Sequence, residues 1–256
     1  MILVVNAGSS SIKVALFRAD LSEVMAGQVS GIGGPLAHID LGTDDKDIAA
    51  SDHTAALNAI LASLAAQGVT PDQLTACAHR VVHGGTSLVA PCRIDDDVIA
   101  GIEAATPLAP LHNPNNLAGI HAITALAPDL PQYASFGTAF HATNPDVATA
   151  FAIPKDDRAM GIRRYGFHGL SYAWIVTQFE DRLPDRLLAF HLGSGASLCA
   201  IHKGKSVATS MGYSPLDGLT MGTRSGAIDG MAVLRMAQTH GAEEASRILN
   251  KDSGLK

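Results

Sequence analysis

Residue types that could bind a phosphate group are concentrated in a serine-rich segment at the start of the chain. "VVNAGSSSIKVAL", residues 4–16, has two apolar stretches separated by a glycine and three serines, with Lys13 shortly afterwards. Small residues let backbone amides approach an anion closely, and hydroxyl and ammonium groups add hydrogen-bond donors. The segment therefore predicts either a phosphate-binding turn between two strands or an ordinary polar turn.

A second segment of the same kind follows 185 residues later. "LAFHLGSGASLCAI", residues 188–201, also has the pattern of a strand, a glycine-serine loop and a strand. Repetition at this separation indicates two related domains, because solenoid repeats recur at much shorter periods. Glycine-serine hairpins are common, however, so duplication and coincidence both stay open at this point.

Two arginines lie among residues that are otherwise apolar or small. Arg80 is in "HRVVHGG" and Arg224 in "MGTRSG". Arginine is rarely buried without a partner, and its planar guanidinium fits carboxylates and phosphates equally well. Each arginine therefore either forms a structural ion pair or binds an anionic ligand.

Several of the eleven histidines are candidates for chemistry. His79 and His83 would lie on one side of a strand, but the sequence offers no third ligand for a zinc site. His168, in "YGFHGLS", lies at a predicted junction between a loop and a helix, where its ring can reach a ligand. For each of them a buried structural histidine is the alternative.

The elements that must position these residues are predicted from apolar spacing and capping residues. One helix contains Leu57 to Leu64 and is capped by Ser51 or Asp52, another begins with Asn113 as its cap, and a third covers residues 168–183. The predicted strands are 2–6, 12–17, 76–82, 187–192, 197–202 and 206–211.

Composition limits the classes of partner and compartment. Apolar residues make up 47% of the 256 residues and the net charge is -6, which argues against nucleic acid or a membrane surface as partner. Three cysteines without a C-x-x-C pair favour a reducing compartment. No apolar run has the length of a signal peptide or a membrane span, so we expect a cytoplasmic protein.

Seven segments together resemble the acetate kinase (acetokinase) family. They are "VVNAGSSSIK", "HRVVHGG", "PLAPLHNP", "GTAFH", "RRYGFHGLS", "HLGSGAS" and "SMGYSPLDGLTMGTRSG", and they span nearly the whole chain. The resemblance implies an α/β fold with two related domains of the actin-like ATPase (ribonuclease H-like) type, in which helices flank mixed sheets. The implied domains are residues 1–152 and 153–256, and the second would be incomplete because family members are longer.

The resemblance also implies an activity. It is the reversible transfer of the γ-phosphoryl group of ATP to acetate or a similar short carboxylate, with Mg²⁺, which gives an acyl phosphate such as acetyl phosphate and ADP. A carboxylate is already ionised at neutral pH, so no general base is needed to create the nucleophile. A sugar kinase on the same fold is a weaker alternative, because a sugar hydroxyl needs such a base. Family members are usually homodimers, which we expect here if the chain is full length.

The resemblance assigns roles to individual residues. Arg80 and Arg224 would hold the acceptor carboxylate and the transferring phosphoryl group, and His168 would donate a hydrogen bond to that group. The residues expected near the phosphates are Ser9, Ser11, Lys13, His191, Gly193, Ser194 and Gly195, with Asn6 near the metal. The expected apolar pocket for the acceptor's methyl group consists of Val82, Leu111, Phe167 and Pro215.

Two residues depart from the family pattern. "FGTAFH" has Gly137 where the family usually has an active-site aspartate, and "HLGSGAS" has Ser194 in place of an asparagine. The first change predicts a strongly reduced rate. Two hypotheses follow: an acetate kinase, or an impaired remnant that keeps the fold and binds nucleotide weakly.

Overall fold

The computed structural model describes residues 1–256 and divides them into two compact units, Met1–Phe136 and Gly137–Lys256. The division lies earlier than the boundary predicted after residue 152. Residues following Gly137 belong to the second unit because His141 and Thr143 both hydrogen-bond to Ser206. The boundary of the family's domains, as opposed to these compact units, stays a prediction.

The first unit is built on one mixed sheet of eight strands, in the order β5-β4-β3-β2-β1-β6-β8-β7. The β1–β6 and β6–β8 pairs are parallel and the other pairs are antiparallel. The strands are β1 (Ile2–Ala7), β2 (Ser11–Phe17), β3 (Glu23–Ser30), β4 (Ala37–Leu41), β5 (Asp44–Ile48), β6 (Ala76–Val81), β7 (Cys92–Arg93) and β8 (Gln132–Phe136).

Helices α1 (His53–Ala66) and α3 (Asn113–Leu126) cover one face of this sheet, and α2 (Asp96–Ala104) packs beside α3. Alternate residues of β1 and β2 point into this core, as do Leu57, Ile60 and Leu64 of α1. Asp52 caps α1 by accepting a hydrogen bond from the Ala55 amide, as the sequence predicts. The predicted hairpin and the predicted strand over 76–82 are likewise confirmed.

The predicted cap of α3 is wrong by one residue. His112 occupies the cap position, and Asn113 is the first residue of the helix. The Asn113 side chain is fully buried and is already engaged elsewhere, since it accepts from the His83 amide and donates to the His83 carbonyl. Its hydrogen bonds therefore hold the segment after β6 instead of the start of its own helix.

The second unit has a three-stranded antiparallel sheet in the order β11-β10-β9, made of β9 (Arg186–Leu192), β10 (Ala196–His202) and β11 (Lys205–Thr209). Helix α6 (Gly169–Gln178) packs against β9, with Tyr172, Ala189, Cys199 and Ile201 in the core between them. The other helices are α4 (Asp146–Thr149), α5 (Lys155–Ala159), α7 (Gly230–His240) and α8 (Ala242–Lys251).

The first unit confirms the predicted α/β class with a mixed sheet and helices. The predicted mixed sheet is not found in the second unit, whose three strands are all antiparallel. Both glycine-serine segments form antiparallel hairpins, β1–β2 and β9–β10. None of the helices has the length and hydropathy that crossing a bilayer requires.

Candidate functional site

The β1–β2 turn exposes serine hydroxyls at its tip. The Gly8 amide donates to the Ser11 carbonyl at 2.7 Å, which leaves Ser9 and Ser10 as the two central, exposed residues. The His53 ring lies 2.6 Å from the Gly8 carbonyl oxygen and anchors the turn to α1. The turn is therefore held in place while its hydroxyls face outward, and its binding of phosphate stays a prediction.

A row of polar side chains crosses the first sheet beside this turn. Asn6 pairs with Lys13 across β1 and β2, and Arg80 pairs with Ser135 across β6 and β8. Arg80 Nη1 donates to Asn6 Oδ1 at 3.2 Å, which joins the two halves. Directly paired residues share one face of a sheet, and this face is opposite to the one that carries Val5. The predicted residues Asn6, Lys13 and Arg80 therefore lie side by side.

Ser135 is the member of this row that the sequence analysis missed. In "QYASF" it is half-buried between the fully buried Ala134 and Phe136. The alternation of buried and less buried residues in this segment could have indicated that Ser135 faces away from the core. Which residue of β8 lies opposite Arg80, however, depends on the register of the parallel β6–β8 pair.

Neither arginine forms an ion pair with an acid. Burial lowers the pKa of Arg80, with no carboxylate close enough to oppose the shift, and its hydrogen bond goes to the neutral amide of Asn6. Burial likewise lowers the pKa of Arg224, whose Nη1 donates to the Pro215 carbonyl oxygen at 3.2 Å. The structural ion pair, one of the two alternatives left open by the sequence, is therefore excluded for both residues.

Asn116 holds the ends of β1 and β6 together and was not identified from the sequence. Its Oδ1 accepts from the Val82 amide at 3.0 Å, and its Nδ2 donates to the Ala7 carbonyl oxygen at 2.8 Å. Ala7 and Val82 are close to Asn6 and Arg80 in sequence, so this side chain of α3 fixes the strand ends that carry them.

In the second unit, His168 is held in a conformation that non-glycine residues rarely adopt. Its φ is 60°, in the left-handed region, immediately before α6. The preceding residue is fixed by His141, whose Nε2 lies 2.9 Å from the Phe167 carbonyl oxygen and whose Nδ1 lies 2.9 Å from Ser206 Oγ. Burial lowers the pKa of His141, which favours the neutral ring in this role.

The structure brings His168 and His191 together. Their rings stack with centroids 4.0 Å apart and an angle of 22° between the planes. His168 Nδ1 lies 2.8 Å from Ser197 Oγ, and His191 Nδ1 lies 3.0 Å from Ser171 Oγ. Each ring thus has one nitrogen engaged by a serine, and the serines come from α6 and β10.

The glycine-serine turn between β9 and β10 lies at the same place. The Gly193 amide donates to the Gly195 carbonyl at 3.0 Å, and Ser194 is exposed. A Cβ atom on Gly195 would be 3.3 Å from His168 Nε2 and 3.4 Å from Arg224 Nη1. A glycine here therefore allows the imidazole and the guanidinium to approach the same small region.

The predicted pocket residues are divided between the two units. Val82 and Leu111 belong to the first, where Val82 is buried and Leu111 is 67% exposed. Phe167 and Pro215 belong to the second, where Phe167 is buried and Pro215 lies beside Arg224 through its carbonyl. A single pocket made of all four stays a prediction.

The chain's own side chains do not fit a magnesium site. Mg²⁺ is usually held in proteins by one or two carboxylates together with substrate phosphates. Asn6 Oδ1 already accepts from Arg80, position 137 carries no carboxylate, and no group of three or more His, Cys, Asp or Glu residues could hold a metal ion. The assignment of Asn6 to a metal therefore stays a prediction without support from its surroundings.

The missing aspartate would be close to His168. The Gly137 carbonyl accepts from the Gly169 amide at 2.8 Å, and Gly169 is the first residue of α6. The backbone at Gly137 does not have a positive φ, so an L-residue is compatible with it.

His79 is a structural residue and not a zinc ligand. Its Nε2 lies 2.8 Å from Gln132 Oε1 in the core, and burial lowers the pKa of His79 to about 4. The ring is therefore neutral and satisfied within the first sheet.

Comparison with known proteins agrees with these features. The sequence matches the model of the Acetokinase family over residues 1–256. It is 44% identical to an acetate kinase of Streptomyces avermitilis, covering 99% of this chain and 67% of the relative. It is 41% identical to an acetate kinase of Oceanobacillus iheyensis, covering 99% of this chain and 68% of the relative.

Solved structures that are similar to this chain are also kinases of short carboxylates, with the actin-like ATPase fold. An acetate kinase of Porphyromonas gingivalis superposes with a TM-score of 0.88 at 35% identity, covering 99% of this chain and 68% of the other. A propionate kinase of Francisella tularensis gives a TM-score of 0.92 at 35% identity, with the same coverage. The chain therefore spans about two thirds of the length of these relatives, and it belongs to the acetokinase family.

Proposed function

We propose that this chain catalyses the reversible transfer of the γ-phosphoryl group of ATP to a short carboxylate such as acetate, at a rate limited by Gly137. The observation that carries this proposal is the state of the two arginines. Both are partly buried, neither has an acidic partner, and Arg224 approaches His168 at the Gly195 backbone. Cations in this state are suited to an anionic ligand.

The reaction joins two anions, and the chain's own groups must offset their repulsion. A carboxylate oxygen attacks the γ-phosphorus while the bond from that phosphorus to the bridging oxygen of ADP breaks. Arg80 and Arg224 neutralise the carboxylate and the phosphoryl oxygens, and His168 donates from Nε2 to a phosphoryl oxygen as charge builds up. The two glycine-serine turns, with Lys13 and His191, contact the phosphates of ATP.

The residues that the resemblance assigns to the alkyl group of the acceptor are apolar. An apolar pocket separates substrates that differ by one methylene by only about 1–3 kcal/mol. The solved relatives include both an acetate kinase and a propionate kinase. We therefore propose short carboxylates as the class of acceptor, with acetate as the first to test.

Mg²⁺ enters this proposal only as part of Mg·ATP, since phosphate oxygens are its usual ligands in kinase sites. We also propose that the protein forms a homodimer and is located in the cytoplasm, as the resemblance to the family implies.

A kinase assay on Gly137→Asp tests the proposal. We expect the unmodified chain to form acetyl phosphate slowly from acetate and Mg·ATP, and Gly137→Asp to be faster by at least about tenfold. Gly137→Asn is the matched control, because it has the same size without the charge, and it should remain slow. If neither variant forms acetyl phosphate while nucleotide still binds, the chain is the non-catalytic remnant and the proposed function is wrong.

A further inference from the structure

Behind His168 lies a chain of hydrogen bonds that the catalytic roles above do not use. His168 Nδ1 is 2.8 Å from Ser197 Oγ, and Ser197 Oγ in turn hydrogen-bonds to the hydroxyl group of Tyr172. Both Ser197 and Tyr172 are fully buried. Buried hydroxyl groups are seldom left without partners, so each hydroxyl proton in this chain must point to an acceptor, which fixes the direction of each hydrogen bond.

The hydroxyl group of Tyr172 is fully buried, and its hydrogen bond joins it to Ser197 Oγ. A phenolic proton directed away from Ser197 would lack an acceptor in this buried site, so it is donated to Ser197 Oγ. The serine proton then points to His168 Nδ1, which must be the acceptor. A neutral ring that accepts at Nδ1 carries its proton at Nε2.

We propose that Ser197 and Tyr172 are positioning residues that fix His168 as the neutral ring with its proton at Nε2. Nε2 is the nitrogen that lies 3.3 Å from the position a Gly195 Cβ would occupy, on the side where Arg224 Nη1 also approaches. The buried chain thus directs the ring's single N–H toward the region assigned to the phosphoryl group. The effect of this proton position on catalysis rests on the proposed function, whereas the position of the proton on Nε2 does not.

A ring held in this way resists protonation for a specific reason. If His168 takes up a second proton, Nδ1 becomes a donor and Ser197 must accept from it. Ser197 then donates to Tyr172, whose own proton loses its acceptor in a fully buried site. A lost buried hydrogen bond of this kind is costly, so the chain itself favours the neutral ring.

Other groups near His168 also influence its protonation, in addition to Ser197 and Tyr172. His191 stacks on its ring, and Arg224 approaches Nε2 past Gly195. Both disfavour a second positive charge when they are charged themselves. His141 packs edge-on against Tyr172, and burial lowers the pKa of His141, which keeps it neutral. Variants of Ser197 and Tyr172 leave all three in place.

The test is a pH titration of the His168 ring by ¹⁵N NMR on the whole chain without substrate, with His168→Gln used to assign the signals. In Tyr172→Phe the serine is free to accept from Nδ1–H, so the midpoint should move to higher pH by about one unit. In Ser197→Ala the hydroxyl group that donates to Nδ1 is lost, so the neutral ring loses its stabilising partner and the midpoint should also move to higher pH. Tyr165→Phe is the matched control, because its hydroxyl bonds to the Gly161 carbonyl in the same unit and its loss should leave the midpoint unchanged.

Higher midpoints in both variants, an unchanged midpoint in Tyr165→Phe and a parent ring with its proton at Nε2 would together support the chain. A midpoint that falls or stays the same in either Ser197→Ala or Tyr172→Phe, or a parent ring with its proton at Nδ1, would overturn it. Circular dichroism checks that each variant is folded. The titration needs no turnover, so an inactive chain that shows these shifts would contradict the proposed function and leave this inference intact.

Discussion

Replacing Asn116 by alanine should destabilise the first unit. The side chain is 1% exposed and makes two hydrogen bonds to backbone groups, one to the Val82 amide and one to the Ala7 carbonyl. Alanine removes both partners at once and adds none. The two backbone groups would remain buried, because α3 continues to cover the ends of β1 and β6.

The magnitude follows from the number of unsatisfied groups. Each buried donor or acceptor left without a partner costs about 1–3 kcal/mol. With two such groups, we expect the free energy of unfolding to fall by roughly 2–5 kcal/mol, after some relaxation around the smaller side chain. For a chain of this length, this corresponds to a decrease in Tm of about 5–15 °C.

Calorimetry measures the Tm, and hydrogen exchange locates the change. Trp174, the single tryptophan, belongs to the second unit, so its fluorescence does not report on this region. Exchange at the Val82 amide should be faster in Asn116→Ala, since that amide loses its acceptor. Asn115→Ala is the matched control on the same helix, because Asn115 bonds only to the Leu111 carbonyl near the surface. We expect its stability to change by less than about 0.5 kcal/mol.

Equal stability of Asn116→Ala and Asn115→Ala, with unchanged exchange at Val82, would refute this reasoning. Water would then be able to replace the hydrogen bonds of Asn116. Another contact would have to hold together the ends of β1 and β6, next to Asn6 and Arg80.

Three further predictions concern charge, pH and thiols. In the Gly137→Asp variant, Arg224→Lys should lower kcat/KM by at least about 100-fold, because lysine keeps the positive charge but lacks the planar guanidinium group. A steady-state kinetic assay measures kcat/KM, and an unchanged value would contradict this role of the guanidinium group. The pKa of His79 is lowered from 6.5 to about 4 by burial, so its neutral form contributes stability above pH 6.5 that is lost as the pH falls toward 4, in total about 3 kcal/mol. Urea unfolding at several pH values should show this loss, and His79→Gln should flatten it. Burial raises the pKa of Cys77 to about 12 and also raises that of Cys199, so a thiol reagent should modify the less buried Cys92 first and the other two only after unfolding.

Much of the fold could be predicted from residue patterns within short segments of the sequence. The β1–β2 hairpin follows from alternation of apolar residues around a glycine-serine turn, and α1 from its spacing of leucines and the Asp52 cap. These features depend on residues that are close in sequence. The start of α3 was misplaced because Asn113 is a good cap by type, while its actual partners belong to the segment after β6, thirty residues earlier.

The candidate site shows the same limit. The sequence alone determined the family, the α/β class, both glycine-serine hairpins and the list of chemistry-bearing residues, because these depend on residue types at short spacing. Only the tertiary structure decided that Arg80 and Arg224 have no acidic partners and that Ser135 lies opposite Arg80. The same holds for the placement of Ser197 and Tyr172 behind His168. Hydrogen bonds and ion pairs between distant segments depend on strand register and helix packing, and many registers satisfy the same local pattern, so only the folded chain selects one.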